Sequence, residues 1–427
     1  MHGGRMWARL LGAGRAVVEA VEFEDEGQDQ DWVLVVHVRP GRGERGRCGI
    51  CRRRCPGYDN GEGRRRWRAL DLGTVRAYLE ADAPRVSCPV HEVTVAAVPW
   101  ARHKAGHTRD FDDTVAWLAV ATSKSAVCAL MRVAWRTVGS VVTRVCADVD
   151  AATDRFEGLR RIGIDEISFR KGRKYLAVVV DHDTGRLVWA AEGRSEKTLA
   201  AFFAALGEDR CKLITHVSAD SADWVGRAVA KACPAAIRCA DPFHVVKWAG
   251  EALDEVRRQA WNAARKNGPS RGRGKGRRDS KGTALDLRNA RYALWKNPED
   301  LTVNQRAKLD WIAKTHPYLY RAWLLKEGLR YVFKVKGTDG MHALRKWLAW
   351  AQRSRIPEFA RLATKIRRHR DQIYACLDNG LSNALIESTN TKIRLITRIA
   401  YGFKDPAALI ALAMLTLGGY RPPLPGR

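Results

Sequence analysis

The chain is short of acid. Against 75 lysines and arginines it carries 47 aspartates and glutamates, a formal charge of +28 over 427 residues. A balance this positive excludes cationic partners and points to a polyanion, nucleic acid before an anionic membrane surface. Any apolar run approaching the length of a membrane span is also lacking. Residues 3–11 are too short and too basic for an export signal, so the expected location is the cytoplasm, with no membrane partner. Ten cysteines in a chain of this length are too few for a disulfide scaffold. Four of them fall before residue 90, which suggests metal binding rather than redox chemistry.

Residues 16–24 (AVVEAVEFE) and 32–38 (WVLVVHV) alternate apolar and polar side chains and read as two strands. RCGICRRRC follows, with Cys48 and Cys51 in C-x-x-C spacing, and SCPVH places Cys88 and His91 two residues apart again. Each pair suits two corners of a zinc tetrahedron, because a short knuckle turns both side chains inward. Residues 74–82 between the pairs read as a strand. Cys55 is a spare thiol able to replace one ligand. Four protein ligands leave no open position, so this Zn2+ would be structural. The arginines around it, from Arg45 to Arg68, suit phosphate contacts.

Residues 111–120, 123–131 and 135–146 carry helical patterns, the first with Asp110 as its expected cap. Helix, tight turn and helix, the last bearing arginines, is the layout of a helix-turn-helix reader, and Arg132, Arg136 and Arg144 are the residues expected to meet DNA.

Residues 160–169 (RRIGIDEISF), 174–181 (KYLAVVVD) and 187–192 (LVWAAE) read as three strands in a meander. A helix begins after Ser195, a strand at 213–218 precedes Asp220, a helix follows at 222–231, and a strand at 237–240 precedes Asp241. That order is the order of an RNase H-like fold, an α/β architecture in which the first and fourth strands lie side by side. Asp165 and Asp220, both read as lying where strands end, would then face each other. Further on, residues 381–404 (LSNALIESTNTKIRLITRIAYGFK) read as a helix capped by Ser382. Leu385, Thr389, Ile393 and Ile396 share an apolar side, while Asn383, Glu387, Asn390, Arg394 and Arg398 share a polar one. Two strand aspartates and one helix glutamate are the minimum that would hold a pair of Mg2+ (or Mn2+) ions for phosphoryl transfer. Asp165, Asp220 and Glu387 are therefore the candidate ligands. Glu166 points to the opposite strand face, and Asp241 is a rival because it too ends a strand.

Residues 242–380 read as helical, with segments at 285–295, 304–314, 318–335, 341–352 and 356–369. Tryptophans 295, 311, 323, 347 and 350 are expected core anchors. Residues 267–282 (NGPSRGRGKGRRDSKG) form a low-complexity basic loop, in which Arg271, Arg273, Lys275, Arg277 and Arg278 suit a phosphate backbone.

The stretches GIDEISFRKGRKYLAVVVD (163–181), SADSADW (218–224), ADPFHVVKWAGEALDEVRR (240–258) and SNALIESTNTKIRLITRIAYGFKD (382–405) resemble the DDE-class transposases of bacterial insertion sequences, most of all the ISL-three group. The cysteine pairs and the helical unit match that group in order. Ala384, where the group often has glycine, and Ser221 depart from its pattern. The resemblance implies a zinc-binding β domain at 1–100 and a helix-turn-helix domain at 101–157. It implies an RNase H-like core at 158–241, an all-helical insertion with a basic loop at 242–380, and a second core segment at 381–427 carrying the glutamate. It implies cleavage and strand transfer at terminal inverted repeats of double-stranded DNA, with target DNA as second substrate, Lys392, Arg394 and Arg398 placing phosphates, and a homodimer to join two ends. The rival readings are a non-catalytic DNA-binding derivative of a transposase and a structure-selective nuclease on the same fold.

Overall fold

The computed structural model describes residues 2–25, 32–170, 172, 174–219, 222–266, 282–381, 384–422 and 424–426. The chain divides into two compact units, Met1–Asp154 with Ile396–Arg427, and Arg155–Leu395. Among the described residues no single helix is long and apolar enough to cross a membrane.

The first unit opens on α1 (His2–Leu10), which the sequence reading did not anticipate, followed by β1 (Ala16–Asp25) and β2 (Trp32–Pro40). Next come β3 (Gly57–Asp59), β4 (Arg64–Arg68), β5 (Arg76–Asp82), β6 (Arg85–Cys88) and β7 (Glu92–Val95). They build two sheets, ordered β1-β2-β5-β4 and β3-β6-β7. Strand β2 is almost continuously apolar because it is central, paired antiparallel to β1 and parallel to β5, and Val33, Leu34, Val35 and Val36 are fully buried. Trp67 and Trp100 meet edge to face in this core, ring centres 5.6 Å apart.

Three helices complete this part of the unit: α2 (Arg109–Ala121), α3 (Lys124–Met131) and α4 (Trp135–Ala152). Thr108, not Asp110, caps α2; its hydroxyl accepts the Phe111 N–H at 3.3 Å. A cap must hold extended backbone, which Thr108 does, whereas Asp110 already lies in the first helical turn. Ser123 caps α3 in the same way.

The second unit is built on β8 (Arg161–Arg170), β9 (Lys174–Asp181), β10 (Leu187–Glu192), α5 (Glu196–Leu206), α6 (Glu208–Cys211), β11 (His216–Ala219), α7 (Asp223–Ala232) and β12 (Ile237–Ala240). The sheet order is β10-β9-β8-β11-β12. The first three strands are antiparallel hairpins, and β11 and β12 run parallel to β8. Hairpins need only tight turns, while parallel neighbours need crossovers, which α5, α6 and α7 supply. Phe202, Leu199 and Val229 from the crossovers pack with Ile162, Ile164 and Val217 of the strands.

The described residues from 242 to 379 are helical or connecting: α8 (Pro242–Lys266), α9 (Gly282–Asn289), α10 (Arg291–Trp295), α11 (Val303–Thr315), α12 (Pro317–Val335), α13 (Gly337–Arg353), α14 (Pro357–Arg368) and α15 (Arg370–Asn379). The expected helix at 285–295 is broken at Ala290, and α15 was not anticipated. Leu253, Leu329, Leu344 and Phe359 belong to a core of these helices' own. Of the expected tryptophan anchors, Trp323 and Trp347 are buried, but Trp295 and Trp350 are 41% and 43% exposed. Residues 267–281, with Arg271, Arg273, Lys275, Arg277 and Arg278, lie outside the described residues.

Helix α16 (Ala384–Ile399) carries the chain out of the second unit, and α17 (Pro406–Leu417) belongs to the first. The expected core segment 381–427 is thus divided near Leu395. Leu409, Ala413 and Leu415 of α17 are buried, and the helix packs on α4 and α2. An apolar helix capped by Asp405 and started by Pro406 must bury itself somewhere, and the three-helix group offers the apolar partner.

A buried ion-pair group holds α2 and α4 together. Asp112 is fully buried; Arg144 donates to both its carboxylate oxygens at 3.0 and 3.1 Å. Arg102, itself buried, lies 3.5 Å from Asp112 and bonds Asp113 and Asp148 at 2.6 and 2.7 Å. Removing one member strands the others in a low dielectric. Asp112→Ala is expected to destabilise the folded chain by on the order of 3 kcal/mol, read as a lower denaturant midpoint. An unchanged midpoint would show that water reaches Arg102 and Arg144.

Candidate active site and zinc knuckle

The knuckle Cys48-Gly49-Ile50-Cys51 is pressed against the chain that follows β7. A Cβ on Gly49 would lie 2.5 Å from the Val95 carbonyl oxygen and from His103 Nδ1, so only glycine fits between the cysteines. The Ile50 N–H donates to Cys48 Sγ at 3.4 Å. Cys88 closes β6, and His91 follows in the turn before β7. Cys51 Sγ lies 3.8 Å from Cys88 Sγ, and His91 Nδ1 lies 3.7 Å from both Cys48 Sγ and Cys88 Sγ. A tetrahedron with zinc–sulfur bonds of about 2.3 Å has edges of about 3.8 Å, the spacing of these three contacts, and all four ligand atoms lie within 4.8 Å of one another. N–H groups of Val90 and His91 directed at the sulfur pull the Cys88 thiol down to about 6, toward the thiolate a metal needs. These four residues form a Cys/His cluster of the kind that holds a metal ion. Cys55 stands outside it, its Sγ bonded to the Arg53 carbonyl at 3.3 Å, with burial pushing its thiol up.

Most arginines around the knuckle are engaged within the protein. Arg45, Arg47, Arg52 and Arg65 donate to backbone carbonyls, Arg64 and Arg66 pair with Glu80, and Arg68 with Asp71. Arg53 and Arg54 remain exposed.

Helices α3 and α4 meet at 100° across the turn Arg132-Val133-Ala134, the angle of a helix-turn-helix. Arg132 ends α3 in the left-handed region, φ 51°, and is tied to Asp71 and to the Thr74 carbonyl. Arg144 is committed to Asp112. Of the three arginines expected to meet DNA, Arg136 is the one held by no ion pair among the described residues, exposed in the first turn of α4.

In the second unit, β11 pairs with β8 so that Ala219 stands opposite Ile164. Strand β8 continues six residues further, so Asp165 is mid-strand, not terminal as its sequence suggested, with β11 ending beside it. Asp220, the next residue after β11, lies outside the described residues, as do Ser382 and Asn383. Asp165 Oδ1 accepts the Glu166 N–H at 2.8 Å, and Oδ2 accepts Asn390 Nδ2 at 2.8 Å. Asn390 is 3% exposed, and its Oδ1 has no hydrogen-bond partner among the described residues. The polar side expected for α16 is therefore split: Asn390 is buried on Asp165, while Glu387, one turn earlier, is exposed together with Lys392, Arg394 and Arg398. Ile386 seats the helix on Gly163, where any Cβ would come within 2.4 Å of its Cδ1.

The neighbouring acids have other partners. Asp241 is 2% exposed and accepts the Phe243 N–H at 3.2 Å and His244 Nδ1 at 2.6 Å, at the start of α8. Glu166 pairs with Arg194 at 2.5 Å. His182 meets Ser218 Oγ at 2.7 Å across the sheet, and burial keeps its imidazole below its ordinary value. The role of Asn390 was missed in the sequence; its spacing of three from Glu387 was the available signal.

A protein that pairs a helix-turn-helix with carboxylates on a separate α/β sheet is built as a DNA-processing enzyme. A family model described as a transposase matches residues 162–413, the helix-turn-helix domain of transposase family ISL3 matches 96–146, and a transposase zinc-finger model matches 44–91. The transposase for insertion sequence element IS1557 of Mycobacterium tuberculosis is 60% identical over 436 residues, covering 100% of this chain and 98% of the relative. The transposase for IS1001 of Bordetella parapertussis is 26% identical over 291 residues, 67% of this chain and 68% of the relative. The chain belongs to the ISL3 family of DDE transposases.

Purified protein is expected to carry about one zinc per chain. Cys48→Ser or Cys88→Ser should lose the metal and much of the fold of the three-stranded sheet, while Cys55→Ser keeps both. Zinc lost only with Cys55→Ser, read by elemental analysis, would replace this ligand set.

Proposed function

We propose that Asp165, Asp220 and Glu387 form the catalytic carboxylate set and hold Mg2+ (or Mn2+) while the enzyme cuts and joins DNA at the terminal inverted repeats of its element. The observation that carries this reading is the Asn390–Asp165 hydrogen bond, which ties the helix of Glu387 to the strand of Asp165. The donor set suits a hard cation: carboxylate oxygens, with the buried, unpartnered amide oxygen of Asn390 beside them. The ions would supply Lewis-acid activation and charge neutralisation at phosphorus. Asn390 holds the Asp165 carboxylate in one orientation, and Gly163 with Ile386 sets the approach of the helix to the strand. Asp241 is a helix cap in this reading rather than a ligand.

The strand order β10-β9-β8-β11-β12, with three antiparallel strands and two parallel additions, supports an RNase H-like core, and the separate core of α8–α15 supports an all-helical insertion. The proposed domains are 1–100, 101–157, 158–241, 242–380 and 381–427, although within the last of these the residues from Ile396 on belong to the first compact unit. Arg136 would read or hold end DNA. Lys392, Arg394 and Arg398, exposed on α16, would place phosphates, aided by Arg271, Arg273, Lys275, Arg277 and Arg278. Arg132 and Arg144 act through the fold. A homodimer joining two ends in the bacterial cytoplasm completes the reading.

Asp165→Asn, Asp220→Asn and Glu387→Gln keep size but remove charge. Each should lower magnesium-dependent cleavage of a labelled element end by on the order of a hundredfold, the scale of a displacement of about 1 Å at the reacting atoms. End binding in a gel shift should persist. Asp241→Asn should retain more activity than any of them. Full cleavage by Glu387→Gln beside an inactive Asp241→Asn would move the third ligand.

Asn390→Ala should lower cleavage roughly tenfold through a misplaced Asp165, one lost orienting contact on the same displacement scale, with end binding unchanged. Wild-type cleavage by this variant would make the hydrogen bond a packing feature only.

A further inference from the structure

Directly after Asp241 the chain opens a groove of about 1140 Å³ between α8, α10 and α12. One wall is a single face of α8, with Phe243, Lys247 and Gly250, and also Glu251 and the Arg258–Asp254 ion pair; the others bring Trp295 and Lys334. Three features separate it from an ordinary surface cleft. Large aromatic rings reach solvent in it: Phe243 is 59% exposed and Trp295 41%. The Arg291 guanidinium lies over the Trp295 ring, 3.8 Å from its centre, so a cation and an aromatic ring stand together. Lys247, Arg291 and Lys334 are exposed and form no ion pair among the described residues, although the charge of Lys334 is felt by Glu299. The floor is also open, for a Cβ built on Gly250 meets nothing within 4 Å.

We propose that this groove binds unpaired nucleotides of single-stranded DNA, bases against Trp295 and Phe243 and phosphates against Lys247, Arg291 and Lys334. Exposed aromatic faces interleaved with cations are how proteins hold single strands without reading sequence, since every base has a flat π face. Duplex DNA keeps its bases stacked inside, so it would leave both rings in water. The inference deepens the reading of the chain as a transposase: the strand held here would be one melted or freed during cutting.

The test is binding without divalent metal, so that it does not depend on the carboxylate set. Fluorescence anisotropy would compare a labelled oligothymidylate of about ten nucleotides with a blunt duplex of equal length. Trp295→Ala and Gly250→Phe, the second filling the floor, should each weaken the single strand roughly tenfold and the duplex less than about twofold. Trp350→Ala, a similarly exposed tryptophan outside the groove, should change neither. Equal losses on both DNAs, or no loss, would overturn the proposal. In the unaltered chain, a 5-iododeoxyuridine oligomer should crosslink to peptides containing Phe243 or Trp295. Crosslinking confined to other peptides would overturn it without reliance on any variant. Loss of cleavage in the carboxylate variants with the groove results intact would leave both readings standing, and failure of the binding arms alone would remove only this one.

Discussion

A single hydrogen bond, Asn390 to Asp165, joins residues 225 positions apart. Carboxylates that are to share a divalent cation repel each other until the cation arrives, so in the proposed site something else must hold their backbones together. The strand of Asp165 and the helix of Glu387 are joined by an amide that bonds one carboxylate oxygen, and by an isoleucine pressed onto a glycine that no other residue could replace without pushing the helix away. The entropy cost of closing a loop grows only slowly with its length. The intervening helices lower it further by packing on a core of their own around Leu253, Leu329 and Phe359. The strand and the late helix meet across a folded body, not across a slack chain.

The charge surplus is spent unevenly. In the first unit many arginines are held by carboxylates or carbonyls: Arg66 by Glu80 and Glu24, Arg85 by Asp59, Arg144 by Asp112. Exposed pairs of this kind add little stability, but they fix where a guanidinium points. On α16, Lys392, Arg394 and Arg398 stay exposed, as do Lys247, Arg291 and Lys334 at the groove beside α8. The zinc knuckle answers a different shortage. The core beneath the three-stranded sheet is Cys48, Cys55, Val86 and Cys88, too few side chains to hold it by apolar burial alone. A tetrahedral ion held by Cys48, Cys51, Cys88 and His91 would replace the missing core.

Local pattern made a good part of this legible in the sequence. Cys48, Cys51, Cys88 and His91 were readable because knuckle spacing is a short-range property. The strands at 174–181, 187–192 and 237–240 were readable because buried strands are apolar runs, and α16 because its apolar positions recur at helical spacing. The catalytic proposal for Asp165 and Glu387 rests on that same reading, with Asp220 beyond what the structure describes.

Tertiary structure decided the rest, because periodicity names the faces of a helix but not which face a neighbour will cover. Asn390 looked solvated until a strand 225 residues away offered it an acceptor. Trp295 and Trp350 looked like anchors by size, yet the helices around them closed on Trp323 and Trp347 instead. Arg144 looked free to meet DNA until Asp112 was buried beneath it. Asp165 looked terminal because its own strand carries no mark of where the neighbouring one stops; β11 ends at Ala219, and β8 does not. The sequence by itself determined many of the elements and each of the two ligand pairs of the zinc cluster, through contacts made within a few residues. The site and the groove depended on which surfaces met, a matter of packing between segments far apart in the chain.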